Sequence, residues 1–351
     1  MSRRHTEALK AALLALHRSG ADRLLSPLTA GIGAILMLHH VCRDPIEPFN
    51  PNRLLKVSPE FLERLITGIR EADLEIVSLD EAHRRILQGP AAKRFVCVTF
   101  DDGYRDNREH AYPILRKHKV PFAIYVASDF ADGRAQLWWL ALEKAIATAD
   151  ILHLDMNGEK RTFRCADVAA KYAAFHAIYW WLRGLQEAQA RRVVRGLCLE
   201  AGFDPDAMFH DLLMTWDELA DLGRDSLATI GAHTKSHYAL AKLPQEEARI
   251  EMVAGLERIE SKLGVRPEHF SYPYGCESSA GAREFSLARE VGFKTAVTTR
   301  KGVTFSEHRD HLTALPRISI NGEYQDMRCV SVLLSGAPFL IWNRFRRVAV
   351  A

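Results

Sequence analysis

Two adjacent aspartates follow a short apolar segment of the chain. Asp101 and Asp102 come directly after Phe95–Phe100, and Gly103 follows them. Two carboxylates at the end of a buried strand raise each other's pKa unless a cation lies between them. Gly103 permits a tight turn, which lets both side chains converge. A helix N-cap for the segment from Asn107 would need only one aspartate, so the pair predicts a metal site or acid–base chemistry.

Two histidines follow a second apolar segment. His233 and His237 are four positions apart, a spacing at which both rings can meet one ion. Thr234 stands where the His-Glu-x-x-His zinc motif has its glutamate, so a general base has to come from elsewhere. Combined with the aspartates, the pair predicts three protein ligands for a divalent metal and one spare carboxylate as the base.

The elements that position these residues alternate along the chain. Helical patterns separate short apolar segments that read as buried strands, and this alternation predicts parallel strands in an α/β barrel or a doubly wound sheet. The predicted strands are 34–38, 95–100, 122–126, 227–230, 269–272, 294–298 and 315–320. The predicted helices are 59–71, 107–118, 245–263 and 282–291.

One region interrupts this alternation. Residues from about 130 to 215 are mainly helical, with a predicted hairpin turn at Asn157-Gly158, and we interpret them as an insertion on one face of the barrel. Its tryptophan pairs at 138–139 and 180–181 favour helix packing over a platform for sugar rings. The predicted organisation is a helical segment at 1–30, a catalytic domain at 31–335 containing the insertion, and a basic tail at 336–351.

Composition narrows the class of protein. The 351 residues include 47 Lys and Arg and 44 Asp and Glu, a net charge of +3 without a basic block, so nucleic acid is not an expected partner. Six cysteines without a Cys-x-x-Cys pair, and the lack of a signal-peptide pattern or membrane span, predict a cytoplasmic protein. The tail mixes arginines with aromatic residues, which permits weak contact with an anionic membrane surface, although a solvated tail is favoured.

The chain resembles the polysaccharide deacetylases of the NodB-homology type, carbohydrate esterase family 4, in two segments: TFDDGY at 99–104 and HTKSH at 233–237. The resemblance implies a distorted (β/α) barrel. It also implies that Asp101 is the catalytic base, and that Asp102, His233 and His237 bind a divalent metal, usually zinc. The implied substrate is an N-acetylated glycan, from which acetate is released.

Two departures from the family pattern concern the rest of the site. The third motif, often Arg-x-Pro-Tyr, corresponds to SYPYG at 271–275, so Ser271 stands in place of the arginine and Tyr274 supplies the backbone N–H implied for the oxyanion. Arg317 follows another strand and either replaces that arginine or forms an ordinary salt bridge. The late histidine motif is also missing. The segment ILMLHHV at 35–41 is similar to the permuted deacetylases of poly-N-acetylglucosamine, which implies His39 as the general acid, ahead of His40.

These residues each fall at the carboxyl end of a predicted strand, and in a parallel barrel such ends share one face.

Other functions remain open at this point. An O-acetyl esterase or a small-amide hydrolase would use the same centre, and a carbohydrate-binding relic would keep the metal for stability. Two histidines and one carboxylate also form the facial triad of non-haem iron oxygenases, which do not need a second carboxylate beside the metal.

Overall fold

The computed structural model describes residues 3–43, 47–89, 91–348 and 350. Its strands are β1 (Gly33–Leu38), β2 (His40–Val41), β3 (Lys56–Val57), β4 (Glu75–Ile76), β5 (Phe95–Phe100), β6 (Phe122–Val126), β7 (Ile151–Met156), β8 (Glu159–Arg164), β9 (Ala228–Ala232), β10 (His269–Ser271), β11 (Thr295–Lys301) and β12 (Leu315–Ser319).

The α-helices are Arg3–Arg18, Ala21–Thr29, Pro59–Glu71, Leu79–Gln88, Tyr112–Lys117, Ser128–Ala131, Trp138–Thr148, Val168–Gly184, Glu187–Glu200, Trp216–Gly223, Gln245–Leu263, Ala282–Val291, Met327–Leu334 and Ala337–Trp342. Short 3₁₀ segments span Arg53–Leu55, Pro205–Ala207, Leu240–Lys242, Ser306–Asp310 and Leu312–Ala314, and a π-helical turn spans Asn107–Ala111.

Seven parallel strands form a closed barrel in the order β1, β5, β6, β9, β10, β11 and β12. β1 pairs with β12 on one side and with β5 on the other, which closes the sheet, and β4 extends it beside β5. Each predicted strand segment forms one of these seven strands, with ends within three residues of the prediction. The α/β fold and the barrel are therefore confirmed, and the doubly wound sheet is excluded.

One predicted helix has a different geometry at its start. The segment predicted as a single helix at 107–118 begins with the π-helical turn Asn107–Ala111 and continues as Tyr112–Lys117. Pro113 lies in the first turn of the second part. Proline has no N–H to donate to the carbonyl four residues earlier, which accounts for the wider turn before it.

The insertion has a hydrophobic core of its own. The helices Trp138–Thr148, Val168–Gly184 and Glu187–Glu200 pack together and bury Leu142, Ile178 and Leu197, among others. β7 and β8 pair antiparallel, and Asn157 and Gly158 between them both have positive φ, as the predicted two-residue turn requires.

The end of the chain differs from the predicted basic tail. Residues 336–351, predicted as a basic tail, begin with the helix Ala337–Trp342, in which Phe339 is buried. This helix packs against Ala21–Thr29, because its apolar side chains gain a partner there. Of the two predicted terminal segments, Met1, Ser2, Ala349 and Ala351 lie outside the described residues.

Candidate active site

The side chains of the site point to the same face of the barrel strands as a buried cluster of apolar side chains. Ile35, Cys97, Tyr125, Val297 and Leu315 are buried together in one cluster, and side chains in a strand alternate between its two faces. Counting by twos from Ile35, Cys97 and Leu315 leads to His39, Asp101 and Arg317 near the strand ends. Ser271 pairs with Val297, and Gly231, two residues before His233, pairs with Tyr125, so Ser271 and His233 share this face. The alternation therefore directs these side chains into the mouth of the barrel.

The alternation along β5 would direct Asp102 to the other face of the strand, and a turn brings its side chain to the barrel mouth instead. Its φ is 75° and that of Gly103 is 71°, both in the left-handed region. That region is uncommon for aspartate and readily adopted by glycine. The turn predicted from Gly103 alone thus includes Asp102, and it leaves both adjacent carboxylates buried at the barrel mouth.

Asp102, His233 and His237 form a buried cluster. Oδ1 of Asp102 lies 3.2 Å from Nε2 of His237 and 3.5 Å from Nε2 of His233. One ligand atom from each residue lies within 4.8 Å of the others. Nδ1 of His233 is 2.6 Å from the Ser271 carbonyl oxygen, so we assign its proton there, which leaves Nε2 free.

The donor set fits a divalent cation. Oδ1 of Asp102 is buried and faces the two imidazole Nε2 atoms without forming a hydrogen bond within the described part of the chain. Burying a carboxylate oxygen in this way costs free energy unless a cation compensates. Burial lowers the pKa of His237, which favours the neutral ring that a metal ligand needs. Histidines that bind a metal typically donate their other ring N–H to a carbonyl or carboxylate, as His233 does to the Ser271 carbonyl.

Asp101 has a different partner from Asp102. The buried Arg317 donates two hydrogen bonds of 2.7 Å, one to each carboxylate oxygen of Asp101, and its Nη2 also donates to the Ser271 hydroxyl at 3.0 Å. Burial opposes ionisation of Asp101, but the Arg317 guanidinium outweighs it and holds the pKa of Asp101 below its usual range. Arg317 thus brings a guanidinium group next to Ser271, the residue that stands in place of the arginine of the third motif.

The two histidines after β1 have separate environments. The Nδ1–H of His40 donates to the Asp106 carboxylate at 2.7 Å, and the His40 ring stacks on Tyr104. His39 instead interacts electrostatically with Asp102 and Asp101, although burial is the larger effect and lowers its pKa. His39 therefore interacts with the two buried carboxylates, whereas His40 packs in the following turn.

The insertion supplies an aromatic wall that sequence reasoning did not place at the site. The Trp139 and Phe130 rings lie 5.2 Å and 5.5 Å from the His237 ring. Trp138 donates from Nε1 to the Tyr274 hydroxyl at 2.8 Å, and the Tyr274 ring is 4.9 Å from His237. No spacing rule links a tryptophan to a histidine about a hundred positions away, so these contacts could not be predicted from the sequence.

A helix and an arginine support the loop that carries His237. The helix Gln245–Leu263 passes so close that a Cβ on Gly255 would lie 2.5 Å from the Thr234 carbonyl carbon. From the insertion, Nη2 of Arg191 donates to the Ser236 carbonyl at 2.7 Å. Both contacts were missed at the sequence level, because Gly255 and Arg191 lie in otherwise ordinary helical patterns.

Comparison with known proteins gives the family. The sequence profile of the family described as polysaccharide deacetylase matches residues 88–296. The Bacillus subtilis (strain 168) protein YxkH, which carries a polysaccharide deacetylase name, is 24% identical over 131 residues, which are 35% of this chain and 44% of that protein. The chain thus spans less than half the length of this curated relative.

Solved structures show the same fold. Streptococcus pyogenes deacetylase PplD, in complex with acetate, superposes with a TM-score of 0.57 at 18% identity, covering 86% of this chain and 97% of that one. IcaB from Ammonifex degensii gives a TM-score of 0.54 at 17% identity, covering 86% and 98%. Because the family profile matches more than half of the residues, including both aspartates and both histidines of the cluster, this chain belongs to the polysaccharide deacetylase family.

Proposed function

We propose that the chain is a metal-dependent hydrolase that removes acetyl groups from N-acetylated sugars of a polysaccharide or glycan precursor. The observation that supports this most directly is the separation of roles between two adjacent buried carboxylates. Asp101 is bound by Arg317, whereas Asp102 faces two imidazoles. This arrangement suits one carboxylate as a base and the other as a metal ligand.

Asp102, His233 and His237 would hold the metal, and we propose zinc, since two imidazoles and one carboxylate match a catalytic zinc site with an open position. A metal bound there supplies a Lewis acid for the acetyl carbonyl and lowers the pKa of water from about 15.7 to about 7. The other steps belong to side chains and backbone groups of this chain.

Asp101 takes a proton from the water that adds to the acetamide carbonyl carbon, and Arg317 keeps the Asp101 carboxylate ionised and oriented. The backbone N–H of Tyr274 has no acceptor within the described part of the chain, and we assign it to the developing oxyanion. One such donor contributes about 3 kcal/mol to transition-state stabilisation.

His39 then donates a proton to the sugar nitrogen as the carbon–nitrogen bond breaks, which leaves acetate and a free amino sugar. Burial lowers the pKa of His39, so its protonated form is a stronger acid. His39 follows β1 beside β5 and therefore approaches the carboxylates from the neighbouring strand.

The test is acetate release from N-acetylglucosamine oligomers and lipid-linked saccharides by protein of defined metal content. Asp101→Asn should keep the metal and lose acetate release, whereas a change at the exposed Asp211, Asp211→Asn, should alter neither. His39→Ala should lower turnover more than metal content. Activity in Asp101→Asn would show that the base is misassigned, and equal loss of metal and turnover in His39→Ala would make His39 a ligand.

The substrate panel also distinguishes the related activities. Acetate release from O-acetylated sugars alone would make the chain an esterase, and no release from any substrate by metal-loaded protein would favour a carbohydrate-binding relic. Oxygen dependence would instead indicate an oxygenase. The cytoplasmic location predicted from the sequence remains a prediction, and cell fractionation tests it.

A further inference from the structure

A surface remote from the catalytic residues exposes apolar side chains on two neighbouring helices. Four of the five most exposed large hydrophobic side chains in the described part of the chain lie there: Leu24 (80%), Ile341 (78%), Phe345 (77%) and Leu28 (68%). These residues belong to Ala21–Thr29 and to Ala337–Trp342 with its following turn, and the two helices pack together. We call this surface the terminal patch.

The helix Ala21–Thr29 buries polar side chains and exposes apolar ones, the reverse of an ordinary surface helix. Asp22 and Thr29 are buried, and the Thr29 hydroxyl bonds inward to the Ser335 carbonyl, whereas Leu24 and Leu28, one turn apart, point outward. A surface helix of a globular protein ordinarily directs its apolar stripe inward. The exposed leucines therefore indicate that a further surface covers this face.

The turn after Ala337–Trp342 holds Phe345 in its exposed position. The Phe345 N–H donates to the Leu340 carbonyl at 2.6 Å, and Nδ2 of Asn343 donates to the Lys301 carbonyl at 2.9 Å. The backbone that carries Phe345 is thus held by one hydrogen bond to its own helix and, through Asn343, by one to β11.

Exposed arginines flank the apolar side chains along the chain. Arg18, Arg23, Arg344 and Arg346 have no carboxylate partner in the described part of the chain. Arg347 faces Glu307 at 3.5 Å, an exposed pair at the edge. A second copy of the chain, related by a two-fold axis, would bring these arginines against themselves, which disfavours a dimer through this face.

We propose that the terminal patch docks on the surface of an anionic lipid bilayer. An apolar face with exposed Leu, Ile, Phe and Trp and a rim of arginines is the composition of an interfacial amphipathic surface. Trp342 also lies at the edge of the patch, where tryptophan is favoured at membrane–water boundaries. Within the described residues no helix is long and apolar enough to cross a bilayer, so the contact is peripheral.

The patch is separate from the catalytic centre. The helix Ala21–Thr29 leads into the beginning of β1, whereas the site residues follow the ends of the barrel strands. Docking therefore does not depend on the proposed hydrolysis, and each can fail while the other holds.

Vesicle sedimentation tests the proposal with full-length, metal-loaded protein. We expect binding to vesicles of equimolar phosphatidylglycerol and phosphatidylcholine, little binding to phosphatidylcholine alone, and release by added salt. Leu24→Asp and Ile341→Asp should each weaken binding by about tenfold or more, because burial of such a side chain is lost. Val265→Asp, at a position 71% exposed outside the patch, is the matched control and should bind like the original protein.

Acetate release from a soluble substrate should be the same in all three variants. No binding of the original protein to either vesicle would overturn the proposal, and so would unchanged binding of Leu24→Asp and Ile341→Asp. A stable dimer in solution that these two changes dissociate would replace the membrane with a second copy of the chain. Arg344→Gln with Arg346→Gln should reduce binding and its salt dependence together.

Discussion

The contact between Arg317 and Asp101 could not be decided from the sequence. The sequence placed both residues at strand ends but left open whether Arg317 served the site or an ordinary salt bridge. They are 216 positions apart, and whether a long side chain reaches depends on the space around it. The small Ser271 leaves that space, and the guanidinium occupies it. Residue types and strand ends were thus predictable, and side-chain direction was not.

Arg317→Met tests this contact. Methionine fills similar volume without a charge, so Asp101 would remain buried and unpaired, a change that costs about 3 to 5 kcal/mol of unfolding free energy. Acetate release should also fall strongly. The exposed pair of Arg328 and Asp326 offers a control, since Arg328→Met should cost less than about 1 kcal/mol. Chemical denaturation measures both values, and equal small losses would show that the Arg317 contact contributes little.

At the scale of elements, the insertion does more than fill space beside the barrel. The sequence predicted a mainly helical insertion here but not its contact with the loop that carries His237. Arg191 on Glu187–Glu200 donates to the Ser236 carbonyl, one residue before His237. His237 itself has a φ of 59°, a conformation that surrounding contacts must maintain. The insertion therefore positions one of the three predicted ligands.

Arg191→Met should loosen that loop and weaken metal binding by about tenfold or more, the range seen when outer-shell partners of a metal site are changed. Competition with a zinc chelator measures the affinity directly, without an activity assay. The next residue, Arg192, is exposed and provides the control, so Arg192→Met should leave the affinity unchanged. If both variants bind zinc like the original protein, the insertion does not position the loop.

At the scale of the whole molecule, the barrel and the insertion keep separate hydrophobic clusters, and the site lies where they meet. Tyr104 and Tyr274 follow barrel strands but pack with the insertion cluster. The alternation of strands and helices predicted the barrel because each parallel strand is buried on both faces and reads as a continuous apolar run. It did not predict the terminal helix Ala337–Trp342, whose short apolar segment is flanked by arginines that suggest a solvated tail.

Acid stability of the whole molecule should depend on a histidine outside the site. His308 lies in Ser306–Asp310, its Nδ1 accepts from the Phe305 N–H at 3.0 Å, and burial lowers its pKa to about 4. In the unfolded chain the pKa of histidine is about 6.5, so the unfolded state binds the proton first as the pH falls. The contribution of His308 to the unfolding free energy is therefore fully present above about pH 6.5. About 3 kcal/mol of it is lost as the pH falls from 6.5 to 4.

His308→Asn keeps a hydrogen-bond acceptor but has no group that titrates in this range. Its unfolding free energy, measured by denaturant titration from pH 7 to pH 4, should therefore fall less steeply than that of the original protein. His210→Asn, at an exposed position, should keep the original slope. Because the buried carboxylates and histidines of the candidate site are present in all three proteins, a difference between the curves belongs to His308. Parallel curves would mean that its ring is already protonated or solvated in the folded state.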